Sequence, residues 1–129
     1  MYTLIEYQKA ALRTAADRTM ASPESQRDNA ILGLAGEIGE VCDLVKKERY
    51  HGHVLNSTKV MDELGDILWY CALLANSFEW TLDDVAQLNI EKLRKRYPDG
   101  FDDARSMERY IEPKGRPFGF FGTDADPHT

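Results

Sequence analysis

Four acidic side chains, arranged as two pairs with three-residue spacing, are the residues of this 129-residue chain best suited to chemistry: Glu37, Glu40, Glu63 and Asp66. Each pair lies in a stretch whose apolar residues recur at helical spacing. Residues three apart on a helix are neighbours on one face, and acids beside a buried face are unfavourable unless a cation balances them. Hard cations prefer oxygen ligands, so the pairs predict a Mg²⁺ site, with Mn²⁺ as the alternative ion.

The position of each acid on its helix bears on this prediction. Glu63 falls inside the apolar sector of its helix, and Asp66 lies at the border of that sector. Glu37 flanks the apolar stripe of the preceding helix, and Glu40 lies one step further round. If the two helices pack antiparallel through these stripes, we expect the four carboxylates to meet near the centre of a bundle. For Glu40 taken alone, an ordinary solvated acid is the better interpretation.

The apolar periodicity predicts an all-α protein, with a four-helix-bundle-like domain followed by a short helix and an extended tail. We expect helices at about 3–18, 28–48, 57–78 and 81–97, and a short helical piece at about 102–110. A proline-containing stretch at 21–27 is expected to separate the first two helices, and Thr81 with Asp84 has the form of a capping box. The predicted domain covers residues 1–110, and the Gly-, Pro- and Asp-rich residues 111–129 are predicted to be an extended or flexible tail.

A polar and basic ridge on the fourth predicted helix is a candidate for binding phosphate groups. Asn89, Lys92 and Arg96 recur there at spacings of three and four residues, beside an apolar stripe. Cations next to a metal-loaded acidic centre suit a polyphosphate, because they neutralise oxygens that the metal does not contact. Lys59, one turn before Glu63, is a further candidate. The alternative is a solvated helix C-terminus, where cations interact favourably with the helix dipole.

Charge and composition indicate which binding partners and which cellular compartment to expect. The net charge of −6 argues against a nucleic-acid binder, because phosphate binding favours a basic surface. No stretch is long and apolar enough to span a membrane, and the first residues lack the continuous apolar run of a signal peptide, so we expect a cytoplasmic protein. Cys42 and Cys71 form no Cys-x-x-Cys pair and are expected to be free thiols in the core.

Three segments resemble the MazG-type nucleoside triphosphate pyrophosphohydrolases. They are residues 33–41 (GLAGEIGEV), 62–70 (DELGDILWY) and 89–101 (NIEKLRKRYPDGF), and the resemblance extends over roughly residues 3–101. The family's E-x-x-E pattern followed by E-x-x-D is specific when all four acids stand in order before a basic helix.

The resemblance implies an all-α bundle that assembles as a homodimer or homotetramer, with sites near the subunit contacts. It implies these magnesium ligands: Glu37, Glu40, Glu63 and Asp66. It implies these contacts to the triphosphate: Lys59, Asn89, Lys92 and Arg96.

The activity implied by the resemblance is Mg²⁺-dependent hydrolysis of ribo- or deoxyribonucleoside triphosphates to the monophosphate and pyrophosphate, in nucleotide-pool control or removal of unwanted nucleotides. Glu37 or Glu40 is the expected catalytic base that accepts a proton from water. Two other functions stay open at this point. One is a phosphoribosyl-ATP pyrophosphohydrolase, and the other is a non-catalytic helical interaction module that binds metal.

Overall fold

A computed structural model describes residues 1–111 of the chain, and the regular secondary structure of these residues is entirely helical. The helices are α1 (Leu4–Leu12), α2 (Asp17–Met20), α3 (Pro23–His51), α4 (Ser57–Ser77), α5 (Leu82–Arg96) and α6 (Asp103–Ile111). The prediction of an all-α protein is confirmed. The predicted tail lies outside the described residues, apart from its first residue.

The long helices α3 and α4 pack along each other, while α1 packs against α4 and α2 against α3. A small core lies where α1, α4 and the start of α5 meet. It contains the buried residues Ala72, Ala75 and Leu82, with Tyr7, Leu12 and Cys71 packed against them. No helix within residues 1–111 combines the length and apolar character needed to cross a membrane.

The expected break at residues 21–27 is wrong, because α3 begins at Pro23. The Ser22 hydroxyl caps this helix by accepting a hydrogen bond from the backbone N–H of Ser25 at 3.0 Å. Proline suits the first position of a helix, where its missing N–H has no intrahelical partner to lose. Helix α4 is likewise capped by a side chain, since Asn56 accepts from the backbone N–H of Thr58 at 3.1 Å.

Helix α1 ends at Leu12 rather than near residue 18. The Ala11 carbonyl, which a continuing helix would offer to Ala15, accepts the Thr14 hydroxyl at 2.7 Å and the Trp69 indole N–H at 3.0 Å. The N–H of Ala15 bonds to the carbonyl of Leu12 at 3.2 Å instead, so the last turn tightens. The chain then turns into the separate short helix α2.

The apolar stripe of α3 is divided between two environments. The half that is partly buried consists of Leu34, Val41 and Val45, and the exposed half consists of Ile31, Ile38 and Cys42. Cys42 is therefore not a core residue as expected, whereas Cys71 is half-buried, and both are free thiols. Helix α4 carries an exposed apolar stripe of its own, formed by Met61, Leu64 and Leu68.

Two compact units divide the chain, with the first covering Met1–Ile90 and the second beginning at Glu91. In the described part of the second unit, the rings of Tyr97 and Phe101 lie 5.2 Å apart. Arg109 donates a hydrogen bond to the Tyr97 hydroxyl and lies 5.1 Å from the centre of its ring. These contacts join the end of α5 to α6.

Candidate metal centre

The pairing of α3 with α4 determines which acids meet. Asn76 donates to the side-chain oxygen of Gln26 at 2.8 Å, near the start of α3 and the end of α4. Further along α3, Gly33 lies directly against the ring of Tyr70, so closely that a Cβ atom there would overlap the ring. Partners on α4 move backwards along the chain as those on α3 move forwards, so the helices are antiparallel. One turn beyond Gly33, this pairing brings Glu37 opposite the turn before Tyr70.

Three of the four predicted acids come together at that place. Glu37, Glu63 and Asp66 each offer a carboxylate oxygen, and these oxygens all lie within 4.8 Å of one another. Glu37 and Glu63 are half-buried, and Asp66 is exposed. The cluster is thus open to solvent on one side, as a site that exchanges ligands requires.

Burial and neighbouring acids both affect the electrostatics of the cluster. Burial raises the pKa of Glu37, and a hydrogen bond with Glu63 and the nearby charge of Asp66 raise it further. Within residues 1–111, the salt bridges formed by lysine and arginine involve other acids, at Asp43 and Asp102. Oxygen donors that repel each other and lack a basic partner fit a hard divalent cation.

Glu40 lies outside this cluster and is exposed to solvent. Its charge nevertheless reaches Glu37, since it contributes to the raised pKa of that residue. The position agrees with its place one step further round α3 in the sequence pattern. Its assignments as a metal ligand and as a catalytic base stay predictions.

Aromatic side chains border the acids on the α1 side. Burial raises the pKa of Tyr7, and the negative charge of Asp66 raises it further, so this hydroxyl lies near the cluster. The rings of Trp69 and Tyr70 meet edge to face, with centres 5.0 Å apart. The Trp69 indole N–H is held by Ala11 and by the Thr14 hydroxyl at 2.9 Å, which fixes this wall against α1.

The predicted phosphate-binding residues are all exposed: Lys59 in the first turn of α4, and Asn89, Lys92 and Arg96 on α5. Lys59 lies one helical turn before Glu63. Asn89 belongs to the first unit, whereas Lys92 and Arg96 belong to the second. The contacts of these four residues with a substrate stay predictions.

Comparison with known protein families assigns the chain to one of them. The model of the family described as "MazG nucleotide pyrophosphohydrolase domain" matches residues 26–101. This segment is more than half of the chain and includes α4, α5 and all of α3 except its first residues. The chain belongs to this family. MazG domains typically use a divalent metal, and the acid cluster lies inside the matched segment.

One curated relative of the MazG-domain chain is the "Gene 37 protein" of Mycobacterium phage L5, which is 42% identical over 69 residues. The aligned region covers 50% of this chain and 60% of the relative, so the chain spans less than two thirds of that protein. Comparison with solved structures gives no match.

Proposed function

We propose that the protein hydrolyses ribo- or deoxyribonucleoside triphosphates to the nucleoside monophosphate and pyrophosphate, with Mg²⁺ as its metal and Mn²⁺ as a substitute. One observation carries the proposal: three carboxylates that have no basic partner within residues 1–111 converge in the segment that matches the MazG family. Such an enzyme controls the nucleotide pool or removes unwanted nucleotides from it.

Glu37, Glu63 and Asp66 are the residues that would hold the metal, with Glu40 as a further ligand. When bound, the metal supplies positive charge for the phosphate oxygens and lowers the pKa of water. Glu37 is the first candidate for the carboxylate that accepts a proton from water, and Glu40 is the second. A water oxygen bonds to the α-phosphorus, and one proton of that water passes to the carboxylate. The bond between the α-phosphorus and the oxygen that bridges to the β-phosphate breaks, so pyrophosphate leaves.

The exposed polar and basic residues complete the proposal for the substrate. Lys59, Asn89, Lys92 and Arg96 bind oxygens of the triphosphate that the metal leaves uncontacted, and neutralise charge as pyrophosphate departs. No base preference follows from these contacts, because phosphate oxygens are common to every nucleotide.

A second copy of the chain is part of the proposal, as a homodimer or homotetramer. The exposed stripes on α3 and α4 support it, with Ile38 51%, Leu64 56% and Met61 72% exposed. Exposed apolar residues that recur at spacings of three and four lie on one face of their helix, and exposed apolar faces often mark contact surfaces. Light scattering on the purified chain measures the assembly. A monomer mass at micromolar concentration contradicts this part, whereas Leu64→Glu is expected to shift an oligomer towards monomer.

The test of the activity is a scan of all ribo- and deoxyribonucleoside triphosphates with Mg²⁺, reading pyrophosphate release. Phosphoribosyl-ATP belongs in the same scan, because the acids alone do not separate the two substrates. The variant Asp66→Asn is expected to lower turnover at least about 100-fold. Replacing a residue that only hydrogen-bonds to a metal ligand already reduces activity about 10–100-fold, and Asp66 is a proposed ligand itself. Asp62→Asn is the matched control, because Asp62 is exposed on the same helix and outside the cluster.

Unchanged pyrophosphate release by Asp66→Asn contradicts the assignment of the site. A melting temperature that rises with Mg²⁺ while every nucleotide stays intact favours the non-catalytic metal-binding module instead. Circular dichroism of each variant confirms that loss of activity is not loss of the helical fold.

A further inference from the structure

A cavity of about 790 Å³ lies away from the acids, at the end of the first unit where α1, the start of α3 and the end of α4 meet. Arg27 lines it, ten residues before Glu37 on the same helix, which is about 15 Å along the helix axis. Its volume falls within the range of small-molecule sites. None of the acids of the candidate metal centre lines it.

Buried amide groups hold the walls of this cavity in place. The Gln8 side chain donates to the carbonyls of Ala72 at 3.3 Å and Trp80 at 3.1 Å, and accepts from the N–H of Leu82 at 2.8 Å. These bonds tie α1 to the end of α4 and the start of α5. A network whose polar atoms are satisfied is rigid, so the cavity is formed before any ligand arrives.

Positive charge predominates among the lining side chains. Lys9 and Arg27 contribute two cations, and Glu79 contributes one acid. One guanidinium nitrogen of Arg27 donates to the carbonyl of Ser77 at 3.0 Å, and the Nε–H is enclosed without an acceptor among residues 1–111. No carboxylate of the described chain forms a salt bridge with Arg27. Arg27 therefore stands at the cavity wall with a donor that no described residue uses.

An exposed pair of aromatic rings stands at the edge of the cavity. Phe78 and Trp80 stack with ring centres 4.6 Å apart, and Arg27 lies 4.1 Å above the Phe78 ring. Trp80 is 52% exposed, so much of its indole has no covering group. Indole surface of this kind stacks well with flat aromatic groups.

The backbone fixes these rings in their positions. Glu79, between them, has a φ of 59°, in the left-handed region. The N–H of Trp80 bonds to the carbonyl of Ala75 and the N–H of Glu79 to that of Asn76, which closes the end of α4 as a Schellman motif. The rings are thus held by a helix cap rather than by a flexible loop.

We propose that this cavity is a second binding site, for a small aromatic anion: a flat ring carrying a carboxylate or phosphate group. The side chains of Lys9 and Arg27 bind the anionic group, and Trp80 stacks on the ring. The proposal does not depend on the pyrophosphohydrolase activity, because neither the metal nor the nucleotide takes part in it.

Trp80 and Trp69 give a direct readout by NMR, because each contributes one indole N–H signal in the isotope-labelled 129-residue chain. Trp69 is the internal reference, since its indole N–H is bonded to Ala11 and Thr14 and does not line the cavity. The Trp80→Phe variant assigns the signals by removing one of them. The probes are phenyl phosphate, benzoate and inorganic phosphate, added without metal or nucleotide.

Phenyl phosphate or benzoate is expected to shift the Trp80 signal saturably, and the tighter of the two identifies the anionic group. Inorganic phosphate is expected to bind at least about tenfold more weakly, because it cannot stack. Arg27→Gln should weaken binding of the tighter probe at least about tenfold, as loss of a charge-assisted hydrogen bond does. Arg49→Gln, an exposed position near the end of α3, is the matched control and should leave binding unchanged.

Because Arg27 also holds the carbonyl of Ser77, Lys9→Gln serves as a second variant whose exposed side chain is not needed for the fold. A several-fold loss of affinity is expected there. The proposal is overturned if neither aromatic probe shifts Trp80 at about 10 mM, well above the dissociation constant of a weak site. It is also overturned if inorganic phosphate binds as tightly as both aromatic probes, or if neither cation variant weakens binding.

Discussion

Polar side chains in the middle of the α3–α4 pair differ from those at its end in whether the protein supplies their partners. In the middle, Glu37, Glu63 and Asp66 approach each other without a basic partner in the described chain. At the end, Gln8 and the pair of Gln26 with Asn76 are hydrogen-bonded to the protein itself.

Polar groups whose partners are supplied by the protein stabilise the fold, whereas polar groups without such partners are available to bind a ligand. A buried amide whose partners are all present contributes to stability, and removing it leaves those partners unsatisfied. Acids that repel one another contribute nothing until a cation arrives, and perturbed acids of this kind are typical of functional sites. Substitutions at the two places should therefore change the free energy of unfolding in opposite directions.

The largest expected effect on stability is that of Gln8→Ala. This change leaves the buried N–H of Leu82 without its acceptor and removes one donor from each of the carbonyls of Ala72 and Trp80, and a buried unsatisfied group costs about 1–3 kcal/mol. We expect the free energy of unfolding in urea, without metal, to fall by about 3 kcal/mol. Asp66→Asn, measured in the same way, should leave it equal or higher, because a repelling charge is removed. Equal losses in both variants would remove the distinction between the two regions.

Gly33→Ala tests the contact that lies between these regions. Its Cβ atom would overlap the Tyr70 ring, and forcing extra atoms into a packed site costs about 1–3 kcal/mol. The matched control is Gly36→Ala on the same helix, where nothing lies within 4 Å of the added atom. This control should stabilise the chain by about 0.5–1 kcal/mol, because alanine favours helix. Thermal melting of both variants checks the difference in sign, and two stabilised variants would show that the close contact is absent.

The smallest effect is expected at the cap of α5, next to the Gln8 network. The backbone N–H of Thr81 donates to Asp84 at 2.8 Å and lowers the pKa of that carboxyl group, with a lesser contribution from the Thr81 hydroxyl. A lowered pKa in the folded state stabilises the protein above the ordinary pKa of aspartate, and this contribution disappears as the pH falls through the lowered value.

The change Asp84→Asn should therefore lower the melting temperature slightly at neutral pH, with a difference from the unsubstituted chain that shrinks in acid. Melting curves at a series of pH values measure this difference. Asp83→Asn is the control, since Asp83 is also exposed in the first turn of α5, whereas the cap hydrogen bonds join Thr81 to Asp84. A difference that grows as the pH falls would contradict the capping role of Asp84.

Features that depend on neighbouring residues were predictable from the sequence. The capping box at Thr81 is confirmed by two hydrogen bonds, and the periodicity placed Glu63 on the side of α4 that is partly buried. The antiparallel pairing that brings Glu37 to Asp66 was a condition of the prediction, and the contacts between α3 and α4 supply it. With that pairing, three of the four predicted acids meet, and their roles stay predictions.

Features that depend on distant residues were not predictable. Helix α1 ends where Trp69, far along the chain, takes part in bonding the Ala11 carbonyl. The structural role of Gln8 could not be predicted from its neighbours in the sequence, because its hydrogen-bond partners lie 64 to 74 residues away. The start of α3 is a different case, since Ser22 followed by Pro23 is a local helix-start signal that was interpreted as a break.

The contact of Gly33 with Tyr70 in the antiparallel helix pair limits where codons can be inserted in the gene. One codon inserted within α3 or α4, between this contact and the acids, would turn the later side chains by about 100° and carry a carboxylate away from its partners. The same insertion in the connector at residues 52–56 leaves the helical frame intact. Insertions and deletions among descendants of this chain are therefore expected in the connector. They are not expected within α3 or α4, because they would separate the carboxylates of the site.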